Sequence, residues 1–534
     1  MKKHYLYTCF VLLMGFGACA QNNAVKYSQS INKDNAYKHL SILASDEYEG
    51  RETGKKGAWM AAEYIKNHFK SLGLKAPVNG SYFQPVDMSG YKLSQVVTIN
   101  GQPLEALKDF YVMPQMVGTQ GASINTNSIL FAGYGVNKPG YNDFEGLSLA
   151  GKVVMIIKSG DPIEKADATK ATARSQSAAL NGKIRFLIEN KVAGIVVIDP
   201  VVDNLPENLK GYLRSEQLVL KTKENLDRMN NGSEVAVVMI GTNAANQILA
   251  GAKTSLTAIE KKIADSRKPT SQEISAVLTA NVKKEESPVK ADNVLGFLEG
   301  SDPKLKHEVL VITGHYDHIG IDSAALGTDK INNGADDDGS GTTGVLMIAE
   351  AFAKAKKAGK GPKRSILFMT VVGEEKGLLG SEWYSEHPVF PLANTITNLN
   401  IDMIGRGDKD HASDNNFVYI IGSDMLSSDL DRIGKKANKD YVNITLDERY
   451  NNRTDPNRFY YRSDHYNFAK HGIPVIFYFN GVHDDYHQPG DEISKIDFPM
   501  LAKRAKLVYF TAWELANGVK RPVVDKNEDG TVKK

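Results

Sequence analysis

Val309-Leu310-Val311-Ile312-Thr313-Gly314-His315-Tyr316-Asp317-His318 is the stretch on which the fold turns. Five residues with β propensity and no polar alternation read as a strand covered on both faces, as in a parallel sheet. Imidazoles and a carboxylate follow at once, where such a strand leaves the sheet. The same apolar texture returns at Ile366–Val372, Thr395–Ile401, Phe417–Ile421 and Val475–Phe479, with helical stretches such as Gly344–Lys357 between. From Asp292 onward this alternation predicts an α/β fold. Its sheet is doubly wound and mainly parallel, with helices on both faces.

Working outward, Asn35–Ala76 reads as helices. Leu40, Leu43 and Ala44 keep helical spacing, and Trp59-Met60, Ile65, Phe69 and Leu72 repeat it before Gly73. Between Tyr91 and Asn281 the texture changes to short β-like runs broken by glycine, among them Ser128–Ala132, Lys152–Lys158 and Ile195–Ile198. A helical stretch lies around Ala171–Lys191, and polar Ser266–Ser287 reads as the way back from an inserted domain. The expected organisation is a leader over 1–20, a first segment of the α/β domain over 21–90 and a β-rich insert over 91–284. The main α/β segment follows over 285–519, then a loose polar tail over 520–534.

Composition narrows the function classes. Lys+Arg 65 against Asp+Glu 63 leaves a net charge of +2, so no bulk field draws nucleic acid or an anionic membrane. The cysteines are Cys9 and Cys19, which excludes a disulfide framework, and a chain of 534 residues can bury a core without one. Lys2 and Lys3, the apolar run Tyr5–Gly17 and the small residues up to Ala20 have the layout of an export signal. Ala18-Cys19-Ala20 suits cleavage before Gln21, while Phe16-Gly17-Ala18-Cys19 suits a lipid anchor on Cys19. Either way the expectation is an exported protein, periplasmic or secreted. No later run approaches the roughly eighteen apolar residues of a transmembrane helix.

Ligands in open parallel sheets bind outside the carboxyl ends of the strands. His315, Asp317 and His318 follow the first strand, Glu374 and Glu375 the second, and Asp402 ends the third. His487 closes the loop after Val475–Phe479, and Asp336-Asp337-Asp338 precedes a helix. Imidazole and carboxylate without thiolate suit zinc or another borderline divalent ion. If His315, Asp337, Glu375, Asp402 and His487 all bind, three carboxylates face four positive charges from two divalent ions. A hydroxide then neutralises the set, so the charge count favours two metals over one. Asp317 is placed to orient the His315 imidazole, and Glu374, next to a ligand, is the candidate general base.

These residues resemble the di-zinc aminopeptidase family that includes the bacterial secreted leucine aminopeptidases, glutamate carboxypeptidase and glutaminyl cyclase. The matching motifs are Gly314–His318, Ala335–Gly341, Gly373–Ser381, Asn400–Gly405 and His487–Asp491, with Ser45-Asp46-Glu47-Tyr48-Glu49-Gly50-Arg51 near the start. The resemblance covers Asn35–Tyr91 and Asp292–Gly518. It implies a zinc-exopeptidase fold and two Zn2+ per chain. Asp337, two before Gly339, bridges the ions, His315 and Asp402 each serve a different metal, and His487 completes the second ion. Glu375 joins one set or the other. Tyr460 or Tyr486 is the carbonyl-polarising residue, and Arg462 either meets a substrate carboxylate or is a surface arginine. Gln488 stands where the family often has threonine. The insert resembles the protease-associated domain on Phe131–Gly135 and Gly151–Ile156, which implies a non-catalytic part.

Gly339-Ser340-Gly341-Thr342-Thr343-Gly344 matches a dinucleotide fingerprint, but it follows three aspartates that would repel a pyrophosphate. Asp525–Gly530 opens like a calcium loop without its closing glutamate. H-E-x-x-H and G-x-S-x-G are absent, against thermolysin-like and serine-hydrolase chemistry. The expected function is an exported di-zinc aminopeptidase acting on peptides by metal-activated water with a Glu general base. Its rivals are a carboxypeptidase or glutaminyl cyclase of the same family, and an inactive binding protein, which the five filled positions argue against.

Overall fold

The computed structural model describes residues 23–160, 173–230, 234–323, 325, 327–527 and 529–533. The leader and Cys19 lie outside these residues. The chain divides into two compact units, one of the segment ending at Met88 together with Val289–Lys534, the other Ser89–Pro288. The insert therefore starts and ends slightly outside the expected 91 and 284. Long strands, Met88–Ile99 and Gln272–Val289, carry the chain out and back. Ser266–Ser287, expected as a return segment, holds most of the second of these strands. Its alternating buried and exposed residues mark a one-faced strand that mean polarity conceals.

The first unit is built on eight strands: β1 (Phe83–Pro85), β2 (Asp292–Leu298), β3 (Val309–His315), β4 (Ser365–Val371), β5 (Thr395–Ile401), β6 (Phe417–Ile421), β7 (Thr445–Asp447) and β8 (Val475–Phe479). Their order is β1-β2-β4-β3-β5-β8-β6-β7. The centre, β4-β3-β5-β8, is parallel, and all seven residues of each of β3, β4 and β5 are buried. β2 and β6 run antiparallel to their inner neighbours, so the sheet is mixed. Phe417–Ile421 was expected to be a parallel strand. An apolar run reports burial on both faces, which β6 has, and carries no record of direction.

Helices cover both faces. Val309, Val311, Leu367 and Met369 pack with Tyr384 and Phe468 on one side. On the other, Phe368 meets Phe69 of α1 (Lys56–Ser71) and Phe352 of α2 (Gly341–Lys357), and Trp513 of α3 (Phe498–Asn517) stacks on Phe352. Trp59, assigned to the apolar stripe of α1, is 41% exposed. The buried face there is made by Ala58, Ala61, Ala62, Ile65 and Phe69. The tail is docked rather than loose: Arg521 donates to the carbonyls of Ala393 and Thr395, and Lys526 Nζ pairs with Asp424. Among the described residues no helix is long and apolar enough to cross a membrane.

The second unit has its own mixed sheet. Ala122–Phe131, Val153–Ile157, Gly194–Ile198 and Ala236–Ile240 form its parallel centre, and the last three are wholly buried. Ala173–Glu189 is the helix expected around Ala171–Lys191, and Thr242–Leu249 and Leu256–Ser266 are further helices that the short-strand reading did not anticipate.

Candidate metal centre

The parallel strands deliver their polar continuations to one edge. His315 is the last residue of β3, Asp402 directly follows β5, Glu374 and Glu375 lie just past β4, and His487 returns in the loop after β8. Asp337 comes from the irregular turn Ala335–Ser340 that leads into α2, where the Asp337–Asp338 peptide is cis. His315 Nε2 stands 3.3 Å from Asp337 Oδ1 and 3.7 Å from Asp402 Oδ1. His487 Nε2 stands 3.2 Å from Asp337 Oδ2 and 3.0 Å from Glu375 Oε2. Asp337 therefore turns one oxygen to each imidazole. All five expected ligands meet.

Their grouping corrects one expectation. His315 and Asp402, assigned to different metals, stand side by side with Asp337, because adjacent parallel strands β3 and β5 end at the same level. Glu375 belongs with His487. His318 joins that second set: its Nδ1 is 2.7 Å from Glu375 Oε1, and its ring sits edge-on to His487.

A layer of donors and acceptors holds these groups. Asp338 accepts the backbone N–H groups of His315, Gly341 and Met403, tying three segments to one carboxylate. Asp491 accepts those of Asp336 and Asp337 and so holds the bridging turn. Ser463 Oγ donates to Asp402 Oδ2 at 2.6 Å. Arg51, 1% exposed, donates to the carbonyls of Leu43, Tyr316, Asn333 and Gly334, a use of the Ser45–Arg51 motif that the sequence did not disclose. Asp317 acts differently from the expectation. The acceptor nearest His315 Nδ1 is its backbone carbonyl at 3.1 Å, whereas its carboxylate is 3.7 Å away, beyond hydrogen-bond reach. That carboxylate is taken up by Thr53 Oγ1 and the Glu374 N–H.

The donor set fits two divalent cations. With Nδ1–H given to the Asp317 carbonyl, His315 turns its Nε2 lone pair inward, and buried Nε2 atoms of His315, His318 and His487 have no hydrogen-bond partner. Asp337, Asp402, Glu374 and Glu375 crowd one buried place, and among the described residues no lysine or arginine pairs with them. Burial opposes the charge on His487, but Glu375 and Asp337 lift its imidazole to about 10. Burial would also raise Asp337, yet His315, His487 and His318 hold it well below the usual carboxylate range. Glu375 is brought to about 2 by His487 and His318 against burial and Asp337. Glu374 goes the other way: burial raises it well above an ordinary glutamate, against the pull of His315 and with Glu375, Asp402 and Asp464 adding to the rise. Two carboxylates side by side in the chain are thus driven apart, the pattern that separates a ligand from an acid–base group.

Residues 293–512 match the model of peptidase family M28. This segment is an M28 domain. A probable zinc metalloprotease from Pyrenophora teres f. teres is 27% identical over 337 residues, 56% of this chain and 65% of that protein. A probable leucine aminopeptidase from Arthroderma benhamiae is 28% identical over 245 residues, 42% and 64% of the two chains. The chain thus spans a little under two thirds of the length of these curated relatives. The fold is that of an aminopeptidase from Aneurinibacillus sp. strain AM-1, with TM-score 0.54, 18% identity and coverage of 94% and 98%. It is also that of a zinc aminopeptidase from Bacillus subtilis, with TM-score 0.51, 19% identity and coverage of 92% and 96%.

Beside the carboxylates the M28 domain opens a cleft walled by Met403, Phe459, Phe477, Phe479 and Val482, with Arg462 and Tyr486 also lining it. The Tyr486 ring stacks on His487 at 3.8 Å, and its hydroxyl lies 3.4 Å from Arg462 Nη2. Burial, with Asp337 and Glu375, pushes that phenol up, so it stays a donor. Tyr460 does not line the cleft. The short helix Phe459–Tyr461 turns Phe459 toward it, and the Tyr460 ring packs on Tyr461, His465 and Tyr466. His318 was visible in the sequence only as a member of its motif. The signal that could have found it is its position three after His315 on an irregular strand exit.

Proposed function

We propose that this chain is an exported zinc-dependent aminopeptidase that removes N-terminal residues from peptides. The observation that carries the reading is Asp337, whose two oxygens face two separate imidazole–carboxylate sets. His315, Asp337 and Asp402 would hold one zinc ion, and Asp337, Glu375 and His487 the other. Bound there, two zinc ions lower the pKa of a water molecule and polarise a peptide carbonyl. The remaining work falls to this chain's side chains. Glu374, close to the His315 edge of the set and raised by burial well above an ordinary glutamate, takes the proton of the attacking water and passes it to the departing amine. The Tyr486 hydroxyl, on the cleft wall, donates to the oxygen on which negative charge develops. The apolar wall receives the N-terminal side chain, and the carboxylate rim receives the α-ammonium. The 89–288 unit is read as a protease-associated domain without a catalytic part, and the leader as the export signal, with Cys19 the candidate site for lipid.

Leucyl-nitroanilide should be hydrolysed and an N-acylated dipeptide left intact, with two zinc ions per chain. Preference for the N-acylated dipeptide would reject the aminopeptidase reading in favour of a carboxypeptidase, for which Arg462 on the cleft wall is the favouring observation. Cyclisation of an N-terminal glutamine with one zinc per chain would reject hydrolysis. Recovery of the full-length protein from the cytoplasm would reject export.

A further inference from the structure

Apart from the cleft ligands, three helices bring together His39, His68 and Glu350, each with a ligand atom within 4.8 Å of the others. His39 lies on the helix Lys33–Leu43, His68 on α1 and Glu350 on α2. The two imidazoles meet edge to face with centroids 4.6 Å apart. His39 is fully buried, its Nδ1 is 2.8 Å from the Tyr64 hydroxyl, and its Nε2 is buried with no hydrogen-bond partner. In the tautomer that donates Nδ1–H to the Tyr64 oxygen, the Nε2 lone pair is left for something else. Fixing one ring nitrogen so that the other can ligate is the usual arrangement around metal-binding histidines.

We propose that His39, His68 and Glu350 form a third divalent-cation site, of the structural kind, that clips the two N-terminal helices to α2. Two imidazoles and one carboxylate suit zinc, with water filling the remaining position. His68 and Glu350 are half-buried, which leaves a path for the ion. Burial, with His68 and Lys38 adding to it, holds the His39 imidazole down near 3, and burial lowers His68 as well. Both are therefore neutral ligands at neutral pH, with nothing to deprotonate. Glu350 is presented by Asn35 Nδ2 at 2.7 Å and shared with Lys354 Nζ at 2.5 Å. That lysine is half exposed and one turn along the same helix, a weak partner that a divalent ion displaces. The site has no part in the peptidase reading and stands or falls apart from it.

The test is zinc content after equilibration with Zn2+ and desalting, for wild type, His39→Ala and Glu350→Gln. Glu350→Gln keeps an acceptor for Asn35 and guards against a His39 variant that fails to fold. Each variant should hold one zinc fewer than wild type while turnover of leucyl-nitroanilide stays within about twofold. The difference is read rather than the total, so a cleft that binds one ion instead of two does not alter the result. In an Asp337→Asn background, zinc should still raise Tm by about 3 °C, and adding Glu350→Gln should abolish that shift. Equal zinc content in wild type and Glu350→Gln, or a shift that survives Glu350→Gln, overturns the site.

Discussion

Both units of this chain build a mixed sheet around four parallel strands, and both put carboxylates where those strands end, yet they neutralise them in opposite ways. In the 89–288 unit, Asp199 follows the buried strand Gly194–Ile198 and is 1% exposed, but Lys158 Nζ lies 2.8 Å away and the Tyr111 hydroxyl donates to it at 2.8 Å. In the M28 unit, Asp337, Asp402, Glu374 and Glu375 have only histidines for ion-pair partners among the described residues. A carboxylate with a lysine is a finished structural device. Carboxylates whose only partners are imidazoles are suited to hold metal, because burial of that much charge is tolerable only with cations the chain does not supply.

The contrast has graded consequences. Asp337→Asn should have the largest effect: loss of both cleft zinc ions by elemental analysis and turnover at background. Retention of both ions would mean that Asp337 bridges nothing. Glu374→Gln should keep two zinc ions and lower kcat by roughly 10²–10⁴-fold, the usual range for a lost general base. Unchanged turnover would move the proton transfer elsewhere. Asp199→Ala, by contrast, should leave zinc content and turnover alone. It should destabilise the 89–288 unit by about 1–3 kcal/mol, seen as an earlier denaturant transition, because it strands the Tyr111 hydroxyl and Lys158. Loss of activity in this variant would erase the distinction between the two sheet edges.

A third treatment of a buried ionisable group is to keep it neutral, and His39 shows it. Its imidazole is pushed down to about 3, chiefly by burial and next by His68. An unfolded histidine titrates near ~6.5, so below that pH the unfolded chain binds the proton first. The folded state then loses stability as pH falls toward 3, by up to about 1.4 kcal/mol per pH unit for one such group. In chelator, the excess stability of wild type over His39→Gln should shrink between pH 7 and pH 4 in urea titrations. A difference that does not change with pH would show that His39 is charged or exposed.

The legible part of the site was the part written as strand followed by ligand. Four residues chosen for their place after an apolar run, His315, Glu375, Asp402 and His487, come together, because a buried parallel strand has one exit and a polar side chain there has one place to go. Asp337, chosen as a carboxylate ahead of a helix, joins them from the turn before α2. Less legible was how they pair. His315 and Asp402 lie 87 residues apart, and nothing local says that β3 and β5 are neighbours, so their sharing of one side of Asp337 is a result of strand order. Asp317 was chosen for its carboxylate and contributes its carbonyl to His315 instead, since backbone groups carry no mark in the residue letters. Tyr460 and Tyr486 were equal candidates by motif, and only the turn of a three-residue helix removes the first from the cleft wall.

By itself the order of residues determined the α/β class, the existence of the insert and which imidazole and carboxylate side chains gather at one sheet edge, because hydrophobic periodicity and side-chain chemistry are local properties. Strand direction at β6, the grouping around Asp337, the anchoring by Arg51, Asp338 and Asp491, and the His39–His68–Glu350 cluster were decided only when distant segments met. Each depends on which buried polar atoms find partners across the fold, and that is a property of the packed chain as a whole.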